Sequence, residues 1–367
     1  MRIAMMHRRL SGGGTEADLR RMATGLAARG HEVHLFCARL DATAPGVHLR
    51  RVPVLAAGRL ARLVSFALAA PRLVERERWD VVMGFGRTFR QDVVRCGGGT
   101  HRTYLRRMEA AGLRRRGQGP YHRAVLWLER RQYAPGGARR VLAVSRRVQD
   151  EIVTDYGVAP ERIAVIYNGV DTERFHPANR ARLGAATRRA LGVRDGARIC
   201  VAIGSGFRRK GFDLLLRLWR DAPPGDTVLV VVGDDERLGT FRRMVGNSAI
   251  LTGPRNDVEA LLAAADVACV PSRQEAFGNV VLEACAAGVP VVTSRRAGAA
   301  ELLDGPLATL VVDDPEDEGA LAGALVRALG PEGAALGRAG RLRAEALPWT
   351  AHVEQLEAFL AEVAGVG

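Results

Sequence analysis

The stretch GSGFRRKGFD, residues 204–213, sets Arg209 beside Lys210, and Lys210 is the only lysine among the 54 basic residues of the chain. It follows the apolar run RICVAIGSG and precedes a helical pattern, so both cations are expected in a loop at a strand's carboxyl end. Two adjacent cations at a helix entrance make a site for an anion, reinforced by the helix dipole. Arginine offers a planar fork; lysine is a compact point charge that tolerates a moving phosphoryl oxygen. From these residues alone, a solvated basic cluster is the alternative.

A second stretch, EAFGNVVLEACAAGVPVV (275–292), holds Glu275 and Glu283 eight positions apart. Glu275 is expected in the loop after VACVPS and Glu283 in the first two turns of the following helix. Between them, Phe277, Gly278, Asn279 and Val280 bring backbone N–H groups to a helix N-terminus, a second cradle for an anion. One carboxylate could then reach sugar hydroxyls while the amides hold phosphate. Two carboxylates alone would suggest glycoside hydrolysis, but the flanking phosphate cradles argue otherwise.

Two further loops complete the set. SGGG (11–14) allows backbone amides close to an anion. It lacks both the dinucleotide fingerprint spacing and the P-loop lysine, and a plain turn reads equally well. TGPRNDVEALLAAAD (252–266) is expected to start a helix capped by Asn256 or Asp257. Main chain near Pro254 could read a base edge and Arg255 could stack on it; a simple cap is the alternative.

These loops require a frame. RIAMM, HEVHLFCA, WDVVMGFG, RRVLAVS and RIAVIYNGVD read as strands of one parallel sheet, with a helix over EADLRRMATGLAARG. Residues 172–197 read as a connection. A second series then alternates strands (RICVAIGSG, DTVLVVVGDD, NSAILTG, VACVPS, VPVVTS, ATLVVDD) with helices, and PWTAHVEQLEAFLAEVA is a last amphipathic helix. The fold class is α/β, with two Rossmann-like parallel-sheet domains in tandem. The expected divisions are 1–170, 171–345 and a C-terminal helix, 346–367, packing back toward the first domain. Two facing domains would place their strand-end loops across a shared cleft.

The bulk numbers agree with two domains in 367 residues. Residues 1–168 carry 31 arginines against 14 acids, a balance of +17, and the remainder is at −3, which accounts for the net +14. The first half is therefore expected to meet an anionic partner. The five scattered cysteines include no C-x-x-C, which argues against a disulfide framework or zinc site and fits a reducing cytosol. MRIAMMHRRLSGGG lacks the features of a signal peptide and no apolar run is long enough to span a bilayer, so any membrane contact is expected to be peripheral. The 5% aromatic content and the lack of a helix-turn-helix or stacking platform disfavour a nucleic-acid binder.

Taken in this order, the motifs resemble the retaining glycosyltransferases of the two-Rossmann-domain (GT-B) class, in the large family with the E-x7-E motif. The resemblance covers essentially the whole chain. GSGFRRKGFD, GPRNDVEALLAAAD, the GGG…RMATGLAARGHEVHLF start and FRQDVVRCGGGTHRTYL (89–105) are most similar to the lipopolysaccharide core glucosyltransferase subgroup. The resemblance implies that Arg209 and Lys210 bind the nucleotide diphosphate, that Glu275 holds donor-sugar hydroxyls and that Phe277–Val280 contact phosphate or sugar. Glu283 would bond the ribose diol, and Gly13 and Gly14 would approach the diphosphate. Asp92 and His101 would orient the acceptor hydroxyl, although a histidine after three glycines is equally a structural one.

The implied activity is transfer of a hexose, glucose from UDP-glucose, to a lipopolysaccharide core or another lipid-linked or phosphorylated glycan. A mannosyl or other hexosyl donor is the alternative, and a basic nucleic-acid binder a remote one. No cofactor beyond the nucleotide sugar is expected. No metal is expected either, since the chain has no D-x-D motif and Arg209 and Lys210 supply positive charge. The segment 101–134 interleaves arginines with Tyr104, Leu105, Met108, Leu113, Tyr121, Leu126 and Trp127. It is expected to touch an anionic membrane at the cytoplasmic face of the bacterial inner membrane, or else to be ordinary buried helices with arginine on the wet face.

Overall fold

The computed structural model of the chain describes residues 1–10, 14–113 and 119–365. It divides into two compact units, Met1–Asn168 with Trp349–Gly367, and Gly169–Pro348. The crossings lie at Asn168/Gly169 and Pro348/Trp349, a few residues from the expected boundaries.

Strands of the first unit are β1 (Arg2–Met6), β2 (Arg9–Leu10), β3 (Glu32–Cys37), β4 (Arg39–Leu40), β5 (Val47–Arg51), β6 (Val81–Gly84), β7 (Val93–Cys96), β8 (Arg140–Ala143) and β9 (Ile163–Val165). β2 and β4 pair with each other, and the other seven form one sheet in the order β5-β3-β1-β6-β7-β8-β9, parallel throughout. Ile3 pairs with Val33 on one side and Val81 on the other. Side chains alternate across this sheet. Ile3 and Met5 join one core with Leu19, Met22 and Leu26 of helix α1 (Gly14–Ala28), while Ala4 and Met6 join another with Phe66, Ala70 and Val74 of α2 (Gly58–Val74). Burial on both faces is why these strands read as continuous apolar runs. Helices α3 (His101–Ala110), α4 (Pro120–Tyr133) and α5 (Arg146–Tyr156) complete the layer, with α3 capped by Thr100 and α5 by Ser145.

The second unit holds β10 (Arg198–Ile203), β11 (Thr227–Val232), β12 (Ala249–Gly253), β13 (Val267–Val270), β14 (Val291–Ser294) and β15 (Val311–Val312), in the order β12-β11-β10-β13-β14-β15, again all parallel. Its helices are α6 (Ala185–Ala190), α7 (Phe207–Lys210), α8 (Phe212–Asp221), α9 (Leu238–Val245), α10 (Val258–Ala264), α11 (Asn279–Ala286), α12 (Glu318–Leu329) and α13 (Gly333–Glu345). The chain ends in α14 (Trp349–Ala364), whose Leu356, Phe359 and Leu360 are buried in the same core as Ile3 and Leu19.

Three expectations are corrected. The loop foreseen at 205–211 contains the one-turn helix α7. The strand foreseen over ATLVVDD is only Val311–Val312. β5 (VHLRR) and β7 (VVRC) were not foreseen, since arginines interrupt both and neither reads as an apolar run. Segment 101–134 meets a mixed outcome: Leu105 and Met108 are buried, Tyr104, Leu113, Tyr121 and Leu126 are half-buried, and Trp127 is exposed. Of these seven side chains two belong to the core, four are partly covered and one is exposed, and residues 114–118 lie outside the described ones. Among the described residues no helix is long and apolar enough to cross a membrane.

Candidate active site

In the second unit, the carboxyl ends of β10 and β13 bring together the two motifs that carry most of the expected chemistry. β10 ends at Ile203, and Gly204–Gly206 turn the chain into α7. The turn requires glycine at 204: φ is +146°, and a Cβ there would lie 2.9 Å from Lys210 Cε. The backbone thus leaves room for the lysine to lie against it. Asp235, just past β11, accepts a hydrogen bond from the Phe207 N–H at 2.7 Å and fixes the start of α7.

Lys210 is buried, and its Nζ meets Glu275 Oε2. Arg209 Nη1 donates to the same oxygen at 2.9 Å and to the Gln274 carbonyl at 3.0 Å. Two cations of one loop therefore grip one carboxylate oxygen of the other. Burial alone would push the Glu275 carboxyl up; Lys210 and Arg209 outweigh it and hold the group down at about 2. Burial lowers Lys210 below the ordinary lysine value, opposed by Glu275 and, more weakly, by Glu283. Glu283 is half-buried in α11.

The loop bearing Glu275 is held from both sides. Arg273 is 2% exposed; its Nη1 donates to the Arg208 carbonyl (2.5 Å) and Asp213 Oδ1 (2.6 Å), and its Nε to Glu316 Oε1 (2.5 Å). On the far side, the Glu275 N–H donates to the Arg296 carbonyl at 3.2 Å and the Ala299 N–H to the Phe277 carbonyl at 2.8 Å. The Phe277 ring is buried, so main chain is what this residue has to offer a ligand. Gly278, at φ +101°, turns the chain into α11 and brings the amides of Asn279 and Val280 to its N-terminus. Neither Arg273 nor Asp235 was singled out from the sequence. A buried arginine is anomalous only once its burial is known.

At the end of β12, Asp257, one of the two expected caps, occupies the N-cap of α10, but its side chain makes no capping bond. Arg255 takes that carboxylate in a bidentate pair at 2.8 and 2.5 Å. The guanidinium expected to stack on a base is therefore engaged by a neighbour, and the Asn256 carbonyl accepts from Arg174 at 3.1 Å.

Gly14, Asp92 and His101 belong to the first unit. Gly14 opens α1 with nothing within 4 Å of a Cβ position, and Gly13 lies outside the described residues. Asp92 precedes β7 at the amino edge of the sheet, where its Oδ2 accepts the Val82 N–H at 2.9 Å and its Oδ1 lies 3.8 Å from Arg139. Ligands of such sheets gather at the opposite, carboxyl ends. Asp92 thus lies at the amino edge of its sheet.

His101, buried at the start of α3, has partners of its own. Its N–H donates to both oxygens of Glu129, at 3.1 and 3.0 Å, and its ring is hydrogen-bonded to His122 at 2.8 Å and stacked on it. Burial pushes the Glu129 carboxyl up to about 7, against hydrogen bonds from Tyr156 and the His101 amide. Another buried group, Asp18–Asn168–Arg95, was also missed: Asn168 accepts from Arg95 at 2.7 Å and donates to Asp18 at 3.0 Å, tying α1 to β7.

Three outcomes follow from this geometry. Lys210→Ala and Glu275→Ala each lower turnover by at least about tenfold in protein whose circular dichroism is unchanged; near-normal rates in both would remove the assignment. Arg273→Leu leaves the Asp213 carboxylate buried without its partner, which costs about 3–5 kcal/mol in denaturant unfolding. Glu129 titrates at a value raised in the folded state, so its stabilising contribution is complete below 4.5, its unfolded value, and is lost as pH rises through about 7. Glu129→Gln should flatten that part of the stability–pH profile.

Comparison with known proteins matches both halves of the chain. Residues 12–174 match the Glycosyltransferase Family 4 model and residues 197–330 the Glycosyl transferases group 1 model. A probable transglycosylase of Burkholderia thailandensis is 32% identical over 362 residues, covering 96% of this chain and 94% of the relative. The lipopolysaccharide glucosyltransferase WaaG of Escherichia coli K12 is 27% identical over 326 residues, 86% of each chain. A crystal structure of WaaG superposes with a TM-score of 0.82 at 24% identity, covering 98% of this chain and 99% of that one, which establishes the shared fold. Two parallel α/β units, each matched by its own half of one enzyme family, leave a single assignment: the chain belongs to the GT-B glycosyltransferases, with a family 4 first half and a group 1 second half.

Proposed function

We propose that this glycosyltransferase moves a hexose, glucose from UDP-glucose, onto a lipopolysaccharide core or another lipid-linked or phosphorylated glycan, with retention at the anomeric carbon. The observation that carries the reading is the convergence of Arg209 and Lys210 on Glu275. As the bond from the anomeric carbon to the diphosphate lengthens, the sugar becomes oxocarbenium-like and negative charge grows on the leaving phosphate. Fixed cations at that point lower the barrier directly, and losing one such donor typically costs about 3–4 kcal/mol.

In this reading Arg209 and Lys210 receive the diphosphate, assisted by the first-turn amides of α11. Glu275 holds donor-sugar hydroxyls near the reacting carbon, and Glu283 bonds the ribose diol. The acceptor attacks from the face the phosphate leaves. Neither a metal nor any other cofactor is required, because the charge is supplied by side chains. Glucose is favoured by the likeness to a lipopolysaccharide glucosyltransferase over most of both chains. A mannosyl donor is the second reading, favoured by 36% identity over 222 residues, 55% of this chain, to a GDP-mannose-dependent phosphatidylinositol monomannoside mannosyltransferase of Mycolicibacterium smegmatis. The acceptor would be met at the cytoplasmic face of the inner membrane.

Mass spectrometry of truncated lipopolysaccharide, incubated with the full chain and either UDP-glucose or GDP-mannose in chelator, should show one added hexose from UDP-glucose. NMR of the new linkage should show the donor's anomeric configuration. Transfer from GDP-mannose alone, an inverted linkage or a strict metal requirement would each overturn the matching part of the proposal.

A further inference from the structure

Four side chains at the carboxyl end of the first unit's sheet are not used by the chemistry described so far. Arg8 follows β1 and Arg87 follows β6, and these two strands are neighbours in the sheet. Arg59 stands in the first turn of α2 and Tyr121 in the first turn of α4. The Arg59 guanidinium lies over the Tyr121 ring, 4.7 Å from its centroid, so the starts of the two helices meet. Burial would raise the Tyr121 phenol; Arg87, Arg8 and Arg59 outweigh it and bring the group below the ordinary tyrosine value. One phenol thus feels three guanidinium groups delivered by three separate segments.

These cations are uncompensated. Arg90, in the same loop as Arg87, is taken by Glu75 at 3.0 and 2.9 Å. Arg8, Arg59 and Arg87 form no ion pair among the described residues. Glu129 feels Arg87, but its oxygens are spent on the His101 N–H and the Tyr156 hydroxyl. The helices bring no anion either: neither α2 nor α4 has an acid in its first turn or a side-chain bond at its N-cap, so the positive ends of two helix dipoles add to the same field. Arg87 Nε is buried with no hydrogen-bond partner among the described residues. A buried donor of that kind is costly unless a ligand takes it. The residue is nevertheless held firmly, in left-handed backbone at φ +60° with its N–H donating to Gln132 Oε1 at 2.9 Å.

We propose that Arg8, Arg59, Arg87 and Tyr121 form an anion site of the first unit that takes a phosphate monoester carried by the acceptor glycan. Such a group offers three outer oxygens and about two negative charges near pH 7. Planar guanidinium forks match those oxygens, and the phenol donates one more hydrogen bond. A carboxylate, with two oxygens and one charge, would leave part of the cluster unmet. The carboxyl end of a parallel sheet is also where its ligands gather. Held by its phosphate, the acceptor is positioned from a point other than its reacting hydroxyl. This inference deepens the proposed function and rests on its reading of a phosphorylated acceptor, yet the binding can be read with no donor present.

The test is calorimetric titration of the full chain, without donor, with three probes: a deacylated core oligosaccharide bearing a phosphate monoester, the same oligosaccharide after phosphatase treatment, and inorganic phosphate. The phosphorylated oligosaccharide should bind at least about tenfold more tightly than either of the others. Arg59→Gln with Arg87→Gln should remove that advantage, while binding of the dephosphorylated form, binding of UDP and the melting temperature stay unchanged. Arg87→Lys, which keeps the charge and loses the fork, should fall between. Tyr121→Phe leaves all three arginines in place and should weaken only the phosphorylated form. Equal binding of the two oligosaccharides, an equal loss of both in the double variant, inorganic phosphate bound as tightly as the phosphorylated oligosaccharide, or a matching loss of UDP affinity would overturn the proposal. Phosphate-dependent binding without sugar transfer would leave this site standing and remove the proposed activity instead.

Discussion

One carboxylate oxygen, Glu275 Oε2, accepts from both Arg209 and Lys210, and the rest of the second unit is arranged to keep it there. Two cations on adjacent residues repel each other, and burying Lys210 strengthens that repulsion. A buried carboxylate by itself would also be costly. Together the three charges are tolerable, and the cations are fixed in place before any anion arrives. Preorganisation of this kind is where electrostatic catalysis gains most, because no charge must be reoriented as the leaving group departs.

The scaffold repeats the theme at one remove. Arg273 is as deeply buried as Lys210, and its bonds to Arg208, Asp213 and Glu316 join the loop of Glu275 to the loop of Lys210. Asp235 holds the start of α7, and Gly204 vacates the space the lysine occupies.

The abundance of arginine has a second explanation away from ligands. In the second unit, Arg180 donates to the Ala265 carbonyl at the end of α10, Arg341 to the Ala286 carbonyl at the end of α11 and Arg198 to the Leu329 carbonyl at the end of α12. Each satisfies an orphan carbonyl at the negative end of a helix dipole. Much of this unit's basic charge is thus consumed internally. The first half of the chain has fewer acids to spend, 14 against 31 arginines.

Much was legible from residues in order. Alternating apolar runs and amphipathic helices sufficed for two parallel-sheet units, because both patterns are local consequences of burial. The types and spacing of Arg209, Lys210, Glu275 and Glu283 pointed to a diphosphate site for the same reason: neighbours in sequence share a loop or a helix turn. Tertiary structure alone decided which charges meet. It placed Arg255 on Asp257, Asp92 at the amino edge of its sheet, His101 on Glu129 and His122, and Arg273 in the middle of the second unit. It also showed which apolar residues of 101–134 are covered, Leu105 and Met108 among them, and which, like Trp127, are exposed. A side chain's partner across dozens of residues depends on how elements pack, and no periodicity within one element records which of its faces another will cover.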